Sequence, residues 1–231
     1  MMKKSKRYKD NFKKIDKLKE YSLKDAVDVL LSCGKASFDE TVEVAIELGV
    51  DPRHADQIVR GTIVLPHGIG KDVKVLVFAK GNQLDLAEKN GADFFGGDEL
   101  VEKIKGGWIG FDAVVATPDM MGTVGKIGKI LGPRNLMPNP KVGTVTQDVE
   151  KAINEIKSGK VEFRVNKAGA ILNGVAKISF ESDKILENVQ TFIGAIIKAK
   201  PVAAKGTYIN KITLSSTMGP GLKLDKTEFL K

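Results

Sequence analysis

Two hydrophobic rhythms alternate along this chain, and their order restricts the folds open to it. ETVEVAIELGV (residues 40–50) puts Val42, Val44, Ile46 and Leu48 on one face and Glu43 and Glu47 on the other. That period of two belongs to a strand with one side in water. The same rhythm returns in VEFRV (161–165) and TYINKITLSST (207–217). Between them, VKVLVFAK (73–80) and DAVVAT (112–117) are nearly continuous apolar runs, as in strands buried on both faces. They alternate with helical patterns in GNQLDLAEKNG, DELVEKIKGG and DVEKAINEIKSG, the sign of a small parallel sheet covered by helices.

The simplest architecture is an insertion. Residues 1–67 and 160–231 form an α+β domain, an antiparallel sheet with helices, interrupted over 68–159 by a small parallel-sheet, Rossmann-like α/β domain. The chain would cross the boundary twice, at Gly68 and Gly70 and again at Ser158 and Gly159. Glycine absorbs large φ/ψ changes, so these four residues are the expected hinge. In the outer domain, Tyr8, Phe12, Ile15 and Leu18 predict an amphipathic basic helix, and Ser22 caps a helix over LKDAVDVLLSC that stops at Gly34. SDKILENVQTFIGAIIKAK predicts a long helix burying Ile185, Val189, Ile193 and Ile196. NKAGAILNG is expected as a turn before a strand VAKISF. In the inner domain, PDMMGTVGKIGKIL is expected as one helix opened by Pro118.

At 231 residues and 42% hydrophobic, the chain can build two real cores. It carries 37 Lys+Arg against 29 Asp+Glu, a net charge of +8, which points to a polyanionic partner. Cys33 is the only cysteine, so no intrachain disulfide can form. The basic start lacks an apolar segment of signal-peptide type, and no apolar run approaches a membrane span. A cytoplasmic protein with no membrane contact is expected.

Catalytic signatures are missing. The glycine- and lysine-rich run TPDMMGTVGKIGKILGPRNLMPNPKVGT (117–144) invites a phosphate-cradle interpretation, but a P-loop needs G-x-x-x-x-G-K-[ST]. Gly125-Lys126 is preceded at the required position by Met120 and followed by Ile127; Gly128-Lys129 has Thr123 and Ile130; Gly70-Lys71 has Leu65 and Asp72. Gly122, Gly125 and Gly128 fall on every third residue, which also fails G-x-G-x-x-G. A nucleotide-binding enzyme on the α/β domain is therefore the lesser alternative. His54, His67, Cys33 and Asp51 have no zinc-like spacing. No catalytic residue, metal or cofactor is expected.

Binding chemistry is better supplied. Lys35, Ser37, Phe38, Thr41 and Glu43 lie at the start of the first strand, with Asn166, Lys167 and Gly169 in a turn and Ser215, Thr217, Met218 and Gly219 after the last long strand. Lysine meets phosphate, hydroxyls and carboxylates bond 2′-OH groups and base edges, and apolar side chains pack on bases or sugars. Structured RNA fits that mixture.

SFDETVEVAIELGVDPRHADQIVRGTIVLPHGIGK, ATPDMMGTVGKIGKILGPRNLMPNPKVGTV and TMGPG closely resemble the bacterial ribosomal protein L1 family, and the resemblance runs through essentially the whole chain. It implies a non-enzymatic, ribosome-associated protein of the large ribosomal subunit, monomeric when free, with a second domain interrupting the first. The partners it implies are 23S rRNA at the mobile stalk, exit-site tRNA whose movement and release it assists, and its own operon mRNA, which it represses. Carried over by matching motif, the rRNA contacts are Phe38, Thr41, Glu43, Thr217, Met218 and Gly219, with Lys167 and Gly169 weaker. The chain departs from the family pattern at Ser37, where a lysine is usual, at Asn166, where aspartate is usual, and at Leu172, where histidine is usual.

Overall fold

The computed structural model describes residues 5–16, 18–134 and 136–229, with Lys141 as backbone alone. The chain forms two compact units, Met1–Gly70 with Glu162–Lys231 and Lys71–Val161. Their main sheets differ in kind, as the two rhythms require: one is four-stranded and antiparallel, the other three-stranded and parallel, and β2 (Arg60–Val64) pairs with β6 (Lys160–Arg164) in a further two-stranded sheet.

In the first unit, β1 (Thr41–Leu48) is an inner strand, flanked by β7 (Ala170–Lys177) and β8 (Ile209–Ser216), with β9 (Leu222–Leu224) outside β8. The buried side chains of β1 alternate with exposed ones, and α2 (Leu23–Ser32) and α8 (Ser182–Lys198) cover that buried face. Ser22 caps α2 by accepting from the Asp25 amide at 3.2 Å. The two ends of the chain are tied together where Tyr21 exchanges backbone bonds with Lys223 and Asp225, both 2.9 Å. The opposite sheet face carries Thr41, Glu43, Ala45 and Glu47, half-buried or exposed among the described residues.

In the second unit, β3 (Val75–Phe78) lies between β4 (Phe94–Gly96) and β5 (Ala113–Ala116). All four residues of β3 are buried. Leu76 and Phe78 pack toward α4 (Asp98–Lys105), and Val75 and Val77 toward α3 (Asn82–Lys89) and α7 (Val149–Lys157). Two cores, one per face, explain why this strand reads as an unbroken apolar run.

Several elements differ from their sequence expectation. The first helix, α1, spans only Lys6–Lys13, and Leu18 is 92% exposed rather than part of an apolar stripe. The run after Pro118 is no single helix: a 3-10 turn at Pro118–Met120 leads into α5 (Met121–Gly125) and α6 (Gly128–Leu131). Three glycines at helical positions weaken each turn, and Ile127 leaves helical geometry at φ −106° between the pieces. NKAGAILNG is mostly strand, since the turn is confined to Asn166–Gly169 and β7 starts at Ala170. β9 is too short to have been foreseen.

The first crossing segment is fastened to the first unit by Asn188 of α8, which is fully buried. Its side-chain nitrogen donates to the carbonyls of Gly68 (2.9 Å) and Val175 (2.8 Å), and its oxygen accepts from the His67 amide (3.2 Å). His67 also pairs with Glu187 at 2.6 Å. Replacing Asn188→Leu orphans the buried Val175 carbonyl and two part-buried groups, the His67 amide and the Gly68 carbonyl, so urea unfolding should show a loss of about 2 kcal/mol.

Candidate RNA interface

The sequence places Glu40 in a polar run, yet only 2% of it is exposed. One carboxylate oxygen accepts from the Ala36 amide (2.6 Å) and lies 3.7 Å from the Arg7 guanidinium of α1. The other accepts from the Ser216 hydroxyl (2.7 Å) and the Met218 amide (3.1 Å). Burial pushes the Glu40 pKa upward, but the bonds from Ser216, Met218 and Ala36, with Arg7 behind them, outweigh it and hold the group below the ordinary carboxylate range. The knot is closed by backbone: Thr217 N–H donates to the Thr41 carbonyl and Thr41 N–H to the Thr217 hydroxyl, both at 3.0 Å. Gly219 turns the chain back, its amide donating to the Ser216 carbonyl at 3.0 Å. A Cβ at Gly219 would collide with the Ser216 hydroxyl, so only glycine leaves that hydroxyl free to reach Glu40.

Around this knot the structure gathers most of the residues singled out from sequence. Phe38 and Met218 are 51% and 52% exposed, large apolar groups held in water. Thr41 starts β1, with Lys177 donating to its hydroxyl at 2.9 Å. Glu43 is exposed, sits opposite Ser215 across the sheet, and has no cation partner among the described residues. Lys35 and Ser37 are exposed on the loop entering β1. Buried Asn11 of α1 secures the start of that loop, exchanging bonds with the Gly34 backbone at 2.8 and 2.9 Å.

Lys167 and Gly169 lie elsewhere. Gly169 (φ +78°) is buried against the backbone of Leu48 and Val50, at the far end of β1, roughly 20 Å from the knot at strand rise. Of the four glycine-marked crossing residues, Gly68 (φ +64°) and Gly70 (φ +73°) belong to the first unit, where a Cβ on Gly70 would meet Phe180. Ser158 and Gly159 (φ +96°) belong to the second, where they terminate α7.

The second unit offers an open pocket of about 330 Å³ beside α7. Of the two lysines that line it, Lys151 and Lys160, the latter is already paired with Glu155 at 2.7 Å. Lys126, Lys129 and Arg134 are exposed; the side chain of Lys141 lies outside the described residues. Burial, the largest influence on the Cys33 thiol, raises its pKa, the reverse of a reactive cysteine. Among the described residues no group of three His, Cys, Asp or Glu could hold a metal, and no helix is long and apolar enough to cross a membrane.

Residues 28–220 match the Ribosomal protein L1p/L10e family. The chain belongs to that family. Among its relatives, large ribosomal subunit protein uL1 of Protochlamydia amoebophila (strain UWE25) is 57% identical over 224 residues, covering 97% of this chain and 95% of the relative. The protein of the same name from Desulfotalea psychrophila (strain LSv54 / DSM 12343) is 58% identical over 225 residues, covering 97% and 96%. With family membership shown, the departures from its pattern take on structural meaning. The Asn166 side-chain oxygen accepts from the amides of Ala168 (2.9 Å) and Ala170 (3.0 Å), a role an aspartate oxygen fills equally. Leu172 is 65% exposed on the open sheet face, where it neighbours Ala45. Glu40, Arg7, Asn11 and Lys177, which position the displayed residues, carry no sequence signal beyond the proximity of Glu40 to Phe38 and Thr41.

The depressed Glu40 pKa fixes the sign of a pH effect. Its stabilisation is complete above the ordinary value of 4.5 and is lost as pH falls through the lower folded value. Glu40→Gln should cost about 2 kcal/mol at pH 7 in urea unfolding. The difference from the native protein should shrink steadily below pH 4.5, and an undiminished gap at pH 3 would count against the knot.

Proposed function

We propose that this chain is a non-enzymatic component of the large ribosomal subunit that binds 23S rRNA at the mobile stalk through its first unit. The observation that carries this is the Glu40 knot, which converts SFDETVE and TMGP, segments remote in sequence, into one rigid surface. That surface presents two half-exposed apolar side chains, hydroxyls and an unpaired carboxylate, the chemistry that splayed bases and 2′-OH groups require. Glu43 would be repelled by phosphate, so it accepts from a base amino group or a ribose hydroxyl. In this scheme the protein is cytoplasmic, ribosome-associated and monomeric when free.

The same surface serves the protein's own operon mRNA, whose translation it represses when ribosomal RNA is saturated. The second unit, through exposed Lys126, Lys129 and Arg134, meets exit-site tRNA or adjacent rRNA as deacylated tRNA leaves. Motion of this unit is absorbed at the two crossings. Because Gly70 is packed on Phe180 while Lys71 pairs with Asp112, the first pivot in this scheme is the pair of backbone torsions flanking the peptide bond between them, ψ of Gly70 and φ of Lys71. Ser158 and Gly159 are held as the cap of α7, which supports a second pivot just beyond them.

Binding to a stalk-sized 23S rRNA fragment, compared with an unrelated structured RNA of equal length, tests the central claim. Phe38→Ala and Met218→Ala remove exposed groups and should leave the urea midpoint nearly unchanged. Each should weaken stalk binding about tenfold or more, in the range of a lost base-stacking contact. Thr217→Ala should do both kinds of damage, since it also frees the Thr41 amide. Equal weakening for both RNAs, or no preference in the native protein, would overturn the assignment.

A further inference from the structure

We infer that the far end of the first unit's sheet carries a second, sequence-independent contact to the RNA backbone, made by the loop that follows α8. This rests on the RNA-binding function proposed above and extends its footprint beyond the motif-matched Lys167 turn to the loop after α8, which no matched motif includes.

Charge is the first observation. From Asn188 to Leu224 the chain contains no aspartate or glutamate, but it contains Lys198, Lys200, Lys205, Lys211 and Lys223. Lys198, Lys200 and Lys205 are exposed, as is Lys167, and none of the four has a carboxylate within 4.0 Å among the described residues. Lys211 stands opposite Glu47 in the sheet and is left out of the patch for that reason. A helix C-terminus attracts cations, which accounts for Lys198. It does not account for Lys200 and Lys205, which lie past the last helical residue.

The second observation is that the loop is built rather than slack. The Tyr208 hydroxyl donates to the Ile196 carbonyl at 3.0 Å, and burial raises its pKa to about 12, so it remains a donor at any physiological pH. The Tyr208 carbonyl accepts from the Gly49 amide at 2.8 Å, and the Gly49 backbone lies so close to the Thr207 carbonyl that no side chain would fit. A turn closed by Ala204 N–H to Pro201 O (3.1 Å) leaves Val202 fully exposed, with lysines at 200 and 205 on either side. An apolar tip between two cations suits a ribose edge between two phosphates.

Third, two basic loops meet at this end. Leu48 donates to the Gly169 carbonyl at 2.9 Å while Gly49 donates to Tyr208, so the Lys167 turn and the Lys205 loop flank adjacent residues of one strand end. The Glu40 knot lies at the other end of β1. The unit therefore offers a shaped contact and a charged one, separated by the length of a strand.

The test is a salt series on the full-length protein with the stalk fragment and the unrelated RNA. The probes are native protein, the triple variant Lys198→Gln/Lys200→Gln/Lys205→Gln, and the matching triple Lys→Arg variant. Each phosphate contact contributes about 0.7–0.9 to the slope of log K against log salt. The Gln variant should therefore lose about 2 from that slope and bind the stalk fragment at least tenfold more weakly at low salt, with its preference over the unrelated RNA retained. The Arg variant should restore both. An unchanged slope and affinity in a folded Gln variant would overturn the second contact alone, whereas absence of preference in the native protein would overturn the underlying function.

Discussion

Burying a carboxylate is unfavourable unless donors surround it, and Glu40 meets that demand with groups from α1, from the loop before β1 and from the loop after β8. Removing any one contributor leaves the charge undersatisfied, so the three segments hold one another in place. The display of Phe38 and Met218 follows from this. Each is attached to backbone that Glu40 fixes from below, and exposed apolar side chains can remain poised only on such a support. Such a support would reduce the ordering cost of the proposed RNA contact, which is where a small surface gains most.

The two hydrophobic rhythms made both sheet types legible, because burial on one face or on two leaves a direct mark on residue alternation. β1 and β3 are the clearest cases. Legibility failed where local pattern and packing disagree. Ile15 and Leu18 continue a helical spacing, but α1 ends at Lys13 and Leu18 has no core to enter. The run from Pro118 to Leu131 has helical apolar spacing, yet its glycines do not sustain one continuous helix.

The candidate site divides in the same way. Phe38, Thr41, Glu43, Thr217 and Met218 stood out because they sit in distinctive motifs, and the fold brings them together. Glu40 did not, because a glutamate between Asp39 and Thr41 looks solvated until its partners, up to 178 residues away, are in position. Lys167 and Gly169 are the opposite case: chemically apt residues that the fold sets at the other end of β1 from Glu40. Sequence pattern carries residue type and spacing well, but it does not carry which end of a sheet a turn occupies.

The strand order has a consequence for the making of the protein. β1 is paired on both edges with β7 and β8, strands that follow it by more than a hundred residues, while the second unit is one continuous stretch, Lys71–Val161. Emerging N-terminus first, the chain can complete the inserted unit while β1 still lacks both neighbours. The ligands of Glu40 at Ser216 and Met218 come later still. The surface proposed to bind RNA is thus among the last parts of the molecule to form, and a polypeptide interrupted just before residue 216 would have a finished inserted unit but none of the bonds from Ser216 and Met218 that fasten Glu40.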